Sequence, residues 1–233
     1  MSEVENDLKA ADELHENGEA QKVYDMLIKY KDLQNAEVEW RLARACRILA
    51  MGDDSEKKKA FAYEAHEHAK LALSLDDKSA ACHKWFGISV SLVGDYLGQK
   101  YKLENTITVK EHLEKAAELD PKDPSCQHFL GIWYFNFADM SWPTRKLAKE
   151  ILGSLPTSTY QEALEHFQRA EELEPNFFGK NQLMLGTVFL KMKKMDEAKK
   201  WLEKATRSTC KTVEDQEAQL EAFKNYKALT TGF

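Results

Sequence analysis

The chain has 233 residues, of which 43% are hydrophobic and 31% charged, and this balance excludes both a disordered and a membrane-embedded protein. The net charge of -6 excludes a strongly basic nucleic-acid-binding protein, so we expect no nucleic-acid partner. No uncharged apolar run approaches the ~18 residues of a membrane-spanning helix, and the polar N-terminus argues against a secretory or mitochondrial targeting segment.

Glycine and proline are scarce, with ten and five residues, which favours a helical protein over a many-turned β-sandwich. The cysteines are too few and too scattered for a disulfide scaffold, and no CxxC pair occurs among them. They are Cys46, Cys82, Cys126 and Cys210. We therefore expect free, mostly buried thiols in a reducing compartment.

Three similar segments recur along the chain, at residues 70–76, 115–121 and 169–175. Alanine and glycine recur before, between and after these segments, as expected where two helices pass closely. These small residues are Ala11, Ala45, Gly87, Gly131, Ala163, Gly186 and Ala198. Proline ends the second and third segments, and it stops a helix because it lacks an N–H donor.

The spacing of the small residues gives the repeat period. Ala11 and Ala45 lie 34 residues apart, which is the period of the tetratricopeptide repeat, a helix-turn-helix unit. Later intervals are longer by 8, 10 and 21 residues. We expect the extra residues in the turns between paired helices, near 54–61, 97–106 and 137–159, because turns tolerate insertions.

The pattern resembles the tetratricopeptide repeat and predicts an all-α, tetratricopeptide-repeat-like α-solenoid that forms one domain over residues 1–233. The expected helix pairs lie at about 4–37, 38–79, 80–123, 124–178 and 179–212. A final helix at about 213–229 carries Leu220, Phe223 and Tyr226 on one side. We expect it to cover the apolar end of the last repeat.

The longest insertion contains a helix of its own. Pro143 suits the first turn of this helix, with Ser141 or Trp142 as the N-cap. Apolar residues recur every three to four positions from Leu147, so the helix is amphipathic. Its basic residues are Arg145, Lys146 and Lys149.

Several specific motifs surround this insertion. They are Gly131-Ile-Trp133, Phe137-Ala-Asp-Met-Ser-Trp142, Ser158-Thr-Tyr160, Glu174-Pro-Asn-Phe177, His83-Lys-Trp85-Phe86 and Gly94-Asp-Tyr96. Over roughly residues 35–205 the chain resembles the regulator of microtubule dynamics family. The resemblance implies a cytoplasmic protein without enzymatic activity that binds microtubules and takes part in spindle organisation. Some members carry an N-terminal membrane anchor, which we do not expect here.

A microtubule presents acidic tubulin tails, so a partner surface should be basic. Residues 180–211 contain nine basic and three acidic residues, a net charge of +6 in a chain that is acidic overall. The basic residues that we expect to bind tubulin are Lys191, Lys193, Lys194, Lys199, Lys200 and Lys204, joined by Arg145, Lys146 and Lys149 of the insertion helix. The alternative, a solvated helical face without a partner, stays open.

The inner groove of a repeat protein is a second candidate surface, since such grooves bind peptides or helices. Its expected residues are Lys84, Trp85, His128, Phe129, Ile132 and Phe135. They would make the protein an adaptor that holds a partner helix or an apolar ligand. The alternative is that several of them belong to the core.

Signatures of catalysis and of metal binding are absent from the sequence. No GxGxxG, GxxxxGK[ST], GxSxG or HExxH motif occurs. His66 and His68 lie two residues apart, so on a helix they point about 200° apart and cannot easily share an ion. We therefore expect no catalytic residues, no metal and no cofactor.

Overall fold

A computed structural model describes residues 2–52 and 54–231, and all regular secondary structure in these residues is helical. The chain divides into two compact units, Met1–Pro121 (unit 1) and Lys122–Phe233 (unit 2). Within each unit the helices pack in sequential pairs, which confirms the all-α, repeat-like fold class. That all residues form a single domain stays a prediction. Among the described residues, none of the helices combines the length and apolar character required to cross a bilayer.

Unit 1 contains three helix pairs. They are α1 (Glu3–Glu16) with α2 (Ala20–Leu27), α3 (Ala36–Leu49) with α4 (Ser55–Leu75), and α5 (Ala80–Leu97) with α6 (Gln99–Leu119). A 3-10 turn, Ile28–Leu33, follows α2. Side chains at Ser2, Asn35, Asp54 and Ser79 accept hydrogen bonds from the first free N–H groups of α1, α3, α4 and α5. These caps explain why the helices begin at those residues.

Unit 2 contains two pairs and two further helices. α7 (Pro124–Ala138) packs on α9 (Tyr160–Leu173), and α8 (Trp142–Leu152) lies between them in the chain. α10 (Gly179–Lys191) packs on α11 (Met195–Ala205), and α12 (Val213–Thr231) covers both. As expected, α8 has proline in its first turn and Ser141 as its N-cap.

The glycines of the repeats lie where paired helices touch. A Cβ added to Gly131 would lie 2.7 Å from the Phe167 ring, and one added to Gly186 would lie 2.6 Å from Leu202. Both distances are too short for two carbon atoms, so a larger residue would push the helices apart. The structure thus confirms the predicted role of small residues at the crossings.

The predicted place of the extra residues in the second and third pairs is wrong. They do not form long turns but lengthen helices, so that α4 and α6 have 21 residues each. Gly98 alone connects α5 to α6, with a positive φ of 89° that favours glycine. Helical residues satisfy their own backbone hydrogen bonds, which makes a longer helix less costly than a long ordered loop.

The packing face of α12 also differs from the prediction. Ala218 and Ala222 are buried against α10 and α11, whereas Leu220 and Phe223 are 61% and 55% exposed. Tyr226 is half-buried at the edge of this contact. Alanine lets two helices approach closely, so the small residues rather than the large ones face the last repeat.

Candidate partner-binding surfaces

Four exposed lysines lie on the turn between α10 and α11 and on α11 itself, and we call them the lysine cluster: Lys193, Lys194, Lys199 and Lys200. The backbone N–H of Lys193 donates to Leu190 O at 3.0 Å, and that of Lys194 donates to Phe189 O at 2.9 Å, which closes α10. α11 then buries Ala198, Leu202 and Ala205. Its amphipathic pattern therefore leaves Lys199 and Lys200 on the solvent side.

Two of the six predicted lysines of this region are held by acids of unit 2. Lys191 Nζ lies 2.7 Å from Asp139 Oδ1, and Lys204 Nζ lies 2.6 Å from Glu171 Oε1. Burial would raise the pKa of Asp139, but hydrogen bonds from Lys191 and Tyr160 hold it below its usual value. The four lysines of the cluster form no ion pair with any residue that the structure describes.

The insertion helix α8 presents a smaller basic surface. Lys146 and Lys149 are exposed, and Ala148 between them is buried. Arg145 is also exposed, but its Nη2 donates to Phe137 O at 3.1 Å, so its guanidinium is anchored to the end of α7. Of the three predicted basic residues, the two lysines therefore extend most freely into solvent.

The predicted groove residues of unit 2 differ in exposure. His128 is buried, and its Nδ1 lies 3.0 Å from Asn181 Oδ1, so it is part of the core. Phe129, Ile132 and Phe135 are half-buried. Ile132 and Phe135 pack against the buried cluster that contains Phe167. Phe129, Ile132 and Phe135 thus retain part of their surface for a partner, and His128 does not.

In unit 1, α1 and α3 share a charged cluster that the sequence analysis did not identify. Asp12 on α1 accepts from Arg41 Nη2 at 2.6 Å and from Arg44 Nη2 at 2.7 Å. Although burial opposes it, these bonds hold the pKa of Asp12 below its usual value. Arg41 also stacks on Trp40, 4.0 Å from the ring centre. The spacing of Arg41 and Arg44, three residues apart on one helix, was the available signal.

Three buried side-chain donors of unit 1, on α3 and α5, have no acceptor among the described residues. Arg44 Nε, Trp40 Nε1 and Trp85 Nε1 are buried without a hydrogen-bond partner among the described residues. Lys84 is half-buried, with its Nζ 5.5 Å from the Trp85 ring centre. Burial, followed by the positive charge of Arg44, lowers the pKa of His15 to about 3. The three buried donors without partners favour a group that brings hydrogen-bond acceptors, such as carboxylate oxygens.

The paired helices and their small crossing residues define the chain as a tetratricopeptide-repeat-like α-helical protein. Solved structures share this fold. A tetratricopeptide-repeat protein of Thermus thermophilus matches with a TM-score of 0.60 at 16% identity, covering 94% of this chain and 98% of that chain. Pseudomonas aeruginosa pilF matches with a TM-score of 0.54 at 14% identity, covering 98% and 92%.

The sequence comparison identifies the family. The profile described as "Regulator of microtubule dynamics protein 1-3" matches residues 7–230, so the chain belongs to this family. It is 46% identical to regulator of microtubule dynamics protein 1 of Mus musculus, over 95% of this chain and 73% of that protein. The corresponding protein of Bos taurus is also 46% identical, over 94% and 70%. Protein 3 of Xenopus laevis is 33% identical, over 91% and 47%.

Proposed function

We propose that this protein is a non-enzymatic scaffold in microtubule dynamics and that its lysine cluster binds the acidic surface of tubulin. The family relatives are named for the regulation of microtubule dynamics, which supports the choice of partner. The observation that carries the proposal is the exposure of four lysines on one turn and helix, without ion pairs among the described residues. Such a surface attracts an acidic partner and accelerates its association.

The neighbouring charges set the strength of this contact. Asp139 and Glu171 neutralise Lys191 and Lys204, which removes two of the predicted cations from the binding surface. Asp196 and Glu197 are exposed in the first turn of α11 and reduce the local positive charge further. Exposed charges are screened over about 8 Å at physiological salt. The contact should therefore be weak and strongly dependent on salt.

Lys146 and Lys149 of α8 form the second basic contact of the proposal. They provide two exposed cations, against four in the lysine cluster. With tubulin as the partner, the protein would act on cytoplasmic microtubules, including those of the spindle. We propose the lysine cluster as the primary contact, since its four cations lie close together in the chain.

Co-sedimentation with stabilised microtubules across a salt series tests the proposal. We expect pelleting that falls as salt rises and falls when protease removes the tubulin tails. Replacing all four lysines of the cluster by glutamate should abolish pelleting. The matched control reverses four exposed lysines of unit 1 that likewise form no ion pair with a described residue, Lys31, Lys59, Lys70 and Lys78, and should pellet much more than the cluster variant. Equal pelleting of the two variants would exclude the lysine cluster as the contact.

A second candidate function is that of an adaptor whose groove holds a partner helix. The unpaired donors Arg44 Nε, Trp40 Nε1 and Trp85 Nε1 favour a partner that carries acidic as well as apolar residues. Taken by itself, unit 2 offers a separate apolar surface to a partner helix, formed by the half-buried Phe129, Ile132 and Phe135.

One probe separates the two functions. A fluorescent peptide with the sequence of an acidic tubulin tail is titrated against the wild-type chain, the cluster variant and Trp85→Phe. Loss of binding in the cluster variant alone supports the scaffold function. Loss in Trp85→Phe alone, with the cluster variant unchanged, supports the adaptor function instead.

A further inference from the structure

Three metal-ligating side chains of unit 1 converge between two paired helices. Cys46 lies on α3, and Glu64 and His68 lie on α4. One ligand atom of each lies within 4.8 Å of the other two. Glu64 and His68 are four residues apart, so they share one face of α4. Cys46 is fully buried and the other two are half-buried, which places the group at the edge of the core.

A buried carboxylate orients the imidazole of His68. Glu39 is fully buried, and its Oε2 lies 2.6 Å from His68 Nδ1, a distance at which the Nδ1–H group donates a hydrogen bond to the carboxylate. The other ring nitrogen, Nε2, lies 3.6 Å from Glu64 Oε1. Histidines that bind a metal through one ring nitrogen commonly donate the other N–H to a carboxylate in this way.

Two carboxylates flank the His68 imidazole, Glu39 at one ring nitrogen and Glu64 at the other. Glu64 Oε1 also accepts a hydrogen bond from the Tyr24 hydroxyl at 2.6 Å. Glu39 Oε1 is buried without a hydrogen-bond partner among the described residues. Two carboxylates beside one imidazole favour a positive charge at that point, and a metal ion supplies it.

We propose that Cys46, Glu64 and His68 bind one zinc ion, with Glu39 as the positioning residue of His68. One thiolate, one imidazole and one carboxylate form a donor set that suits Zn²⁺, a borderline-soft ion with tetrahedral coordination. Nitrogen and oxygen ligands at tetrahedral positions lie about 3.3 Å apart. The observed separation of 3.6 Å is close to that value. On binding, the Cys46 thiol releases its proton to solvent.

An open cavity of about 590 Å³ beside the site is lined by Glu39 and His68, together with Lys31 and Lys70. Neither Cys46 nor Glu64 lines this cavity, so it connects solvent to the Glu39–His68 pair. A water molecule would be the fourth ligand of a tetrahedral ion. The ion would join α3 to α4 and stabilise unit 1. This inference is independent of the proposed microtubule contact, which involves unit 2.

Cobalt(II) titration of the full chain tests the site. The protein is first treated with a chelator and kept under a phosphine reductant. Co²⁺ occupies zinc sites, and a bound thiolate gives it a charge-transfer band in the near ultraviolet. We expect one equivalent of cobalt to produce this band, zinc to remove it by displacement, and zinc to raise the Tm of the wild-type chain.

Variants identify the ligands. Cys46→Ala should abolish the band, and His68→Gln and Glu64→Gln should bind at least roughly tenfold more weakly. Glu39→Gln should bind about 10–100-fold more weakly while keeping the band at saturation, as expected of a positioning residue. The controls are Cys82→Ala, which removes another fully buried thiol of unit 1, and His66→Gln, which changes a half-buried histidine of α4. Both should bind one equivalent.

Two results would overturn the proposal. One is a wild-type chain that shows neither the band nor a rise in Tm with excess zinc, which would mean that a proton alone satisfies His68. The other is a Cys46→Ala variant that retains the band. Helicity measured by circular dichroism verifies that each variant is folded, and the wild-type titration decides the question if a ligand variant does not fold.

Discussion

Two helix pairs of similar design, α3–α4 in unit 1 and α10–α11 in unit 2, place their charged residues in opposite ways. α3 buries Glu39 and Arg44. Its partner α4 buries four alanines, Ala62, Ala65, Ala69 and Ala72, and these small residues leave room for large polar side chains. Among the described residues of α10 and α11, no charged side chain is buried. The same scaffold thus carries charge inside one pair and outside the other.

Substitutions of buried and of exposed charged residues should have different effects. A buried charge depends on fixed partners, since it has no water to replace them. An exposed lysine is hydrated and contributes little to stability, so it is available to a partner. We therefore expect changes in the α3–α4 pair to affect folding and changes in the lysine cluster to affect binding.

The largest effect should come from Asp12, which pairs with both Arg41 and Arg44. Asp12→Ala leaves the largely buried guanidinium of Arg44 without its carboxylate and leaves Arg41 with Glu37 alone, and we expect it to lower the free energy of unfolding by about 3 kcal/mol. The control is Asp196→Ala, on the exposed face of α11, which should change it by less than about 0.5 kcal/mol. Urea unfolding followed by circular dichroism measures both. Similar values for the two variants would contradict the contrast between the pairs.

The next effect is a pH dependence that His15 imposes on unit 1. Its pKa is about 3 in the folded chain against 6.5 in the unfolded chain. Below pH 6.5 the unfolded chain binds a proton that the folded chain does not, so stability falls as pH falls. Between pH 7 and pH 5 the expected loss from His15 is about 2 kcal/mol.

The His15→Gln variant checks this pH dependence. Glutamine does not titrate, so the variant should lose less stability than the wild type between pH 7 and pH 5. A proton NMR titration of the wild type should show His15 still neutral at pH 5. If the His15 imidazole signal titrated near pH 6.5, the predicted pH dependence would be disproved.

The sequence predicted the fold because small residues, proline and helix caps act locally. Gly131 and Gly186 indicate helix crossings without any knowledge of the tertiary structure, and Pro143 indicates the first turn of α8. Periodicity does not decide between two faces of a helix, so the large residues Leu220 and Phe223 were preferred over the buried alanines of α12. Only the packed structure shows which face fits the space available.

The candidate sites were predictable to different degrees. The excess of basic residues at 180–211 predicted the lysine cluster, because a run of like charges can be read from the sequence without knowing any tertiary contact. It did not show that Lys191 and Lys204 are held by Asp139 and Glu171, because those acids are distant in sequence. The proposed zinc ligands are likewise distant in sequence, since Cys46 lies on α3 and Glu64 and His68 lie on α4. The spacing of the histidines within α4 therefore gives no indication of Cys46.

The smallest effect is expected from a comparison between a lysine that forms an ion pair and lysines that form none. Lys191→Met breaks an exposed ion pair with Asp139 and should lower the free energy of unfolding by roughly 0.2–1 kcal/mol. Its charge is already neutralised, so microtubule pelleting should hardly change.

The double variant Lys199→Met, Lys200→Met breaks no ion pair with a described residue, so stability should stay within about 0.5 kcal/mol while pelleting at low salt declines. Urea unfolding and co-sedimentation on the same preparations separate the two behaviours. If Lys191→Met weakened pelleting as much as the double variant, the distinction between paired and exposed lysines would not govern binding, and the proposed contact would have to extend over the whole basic region.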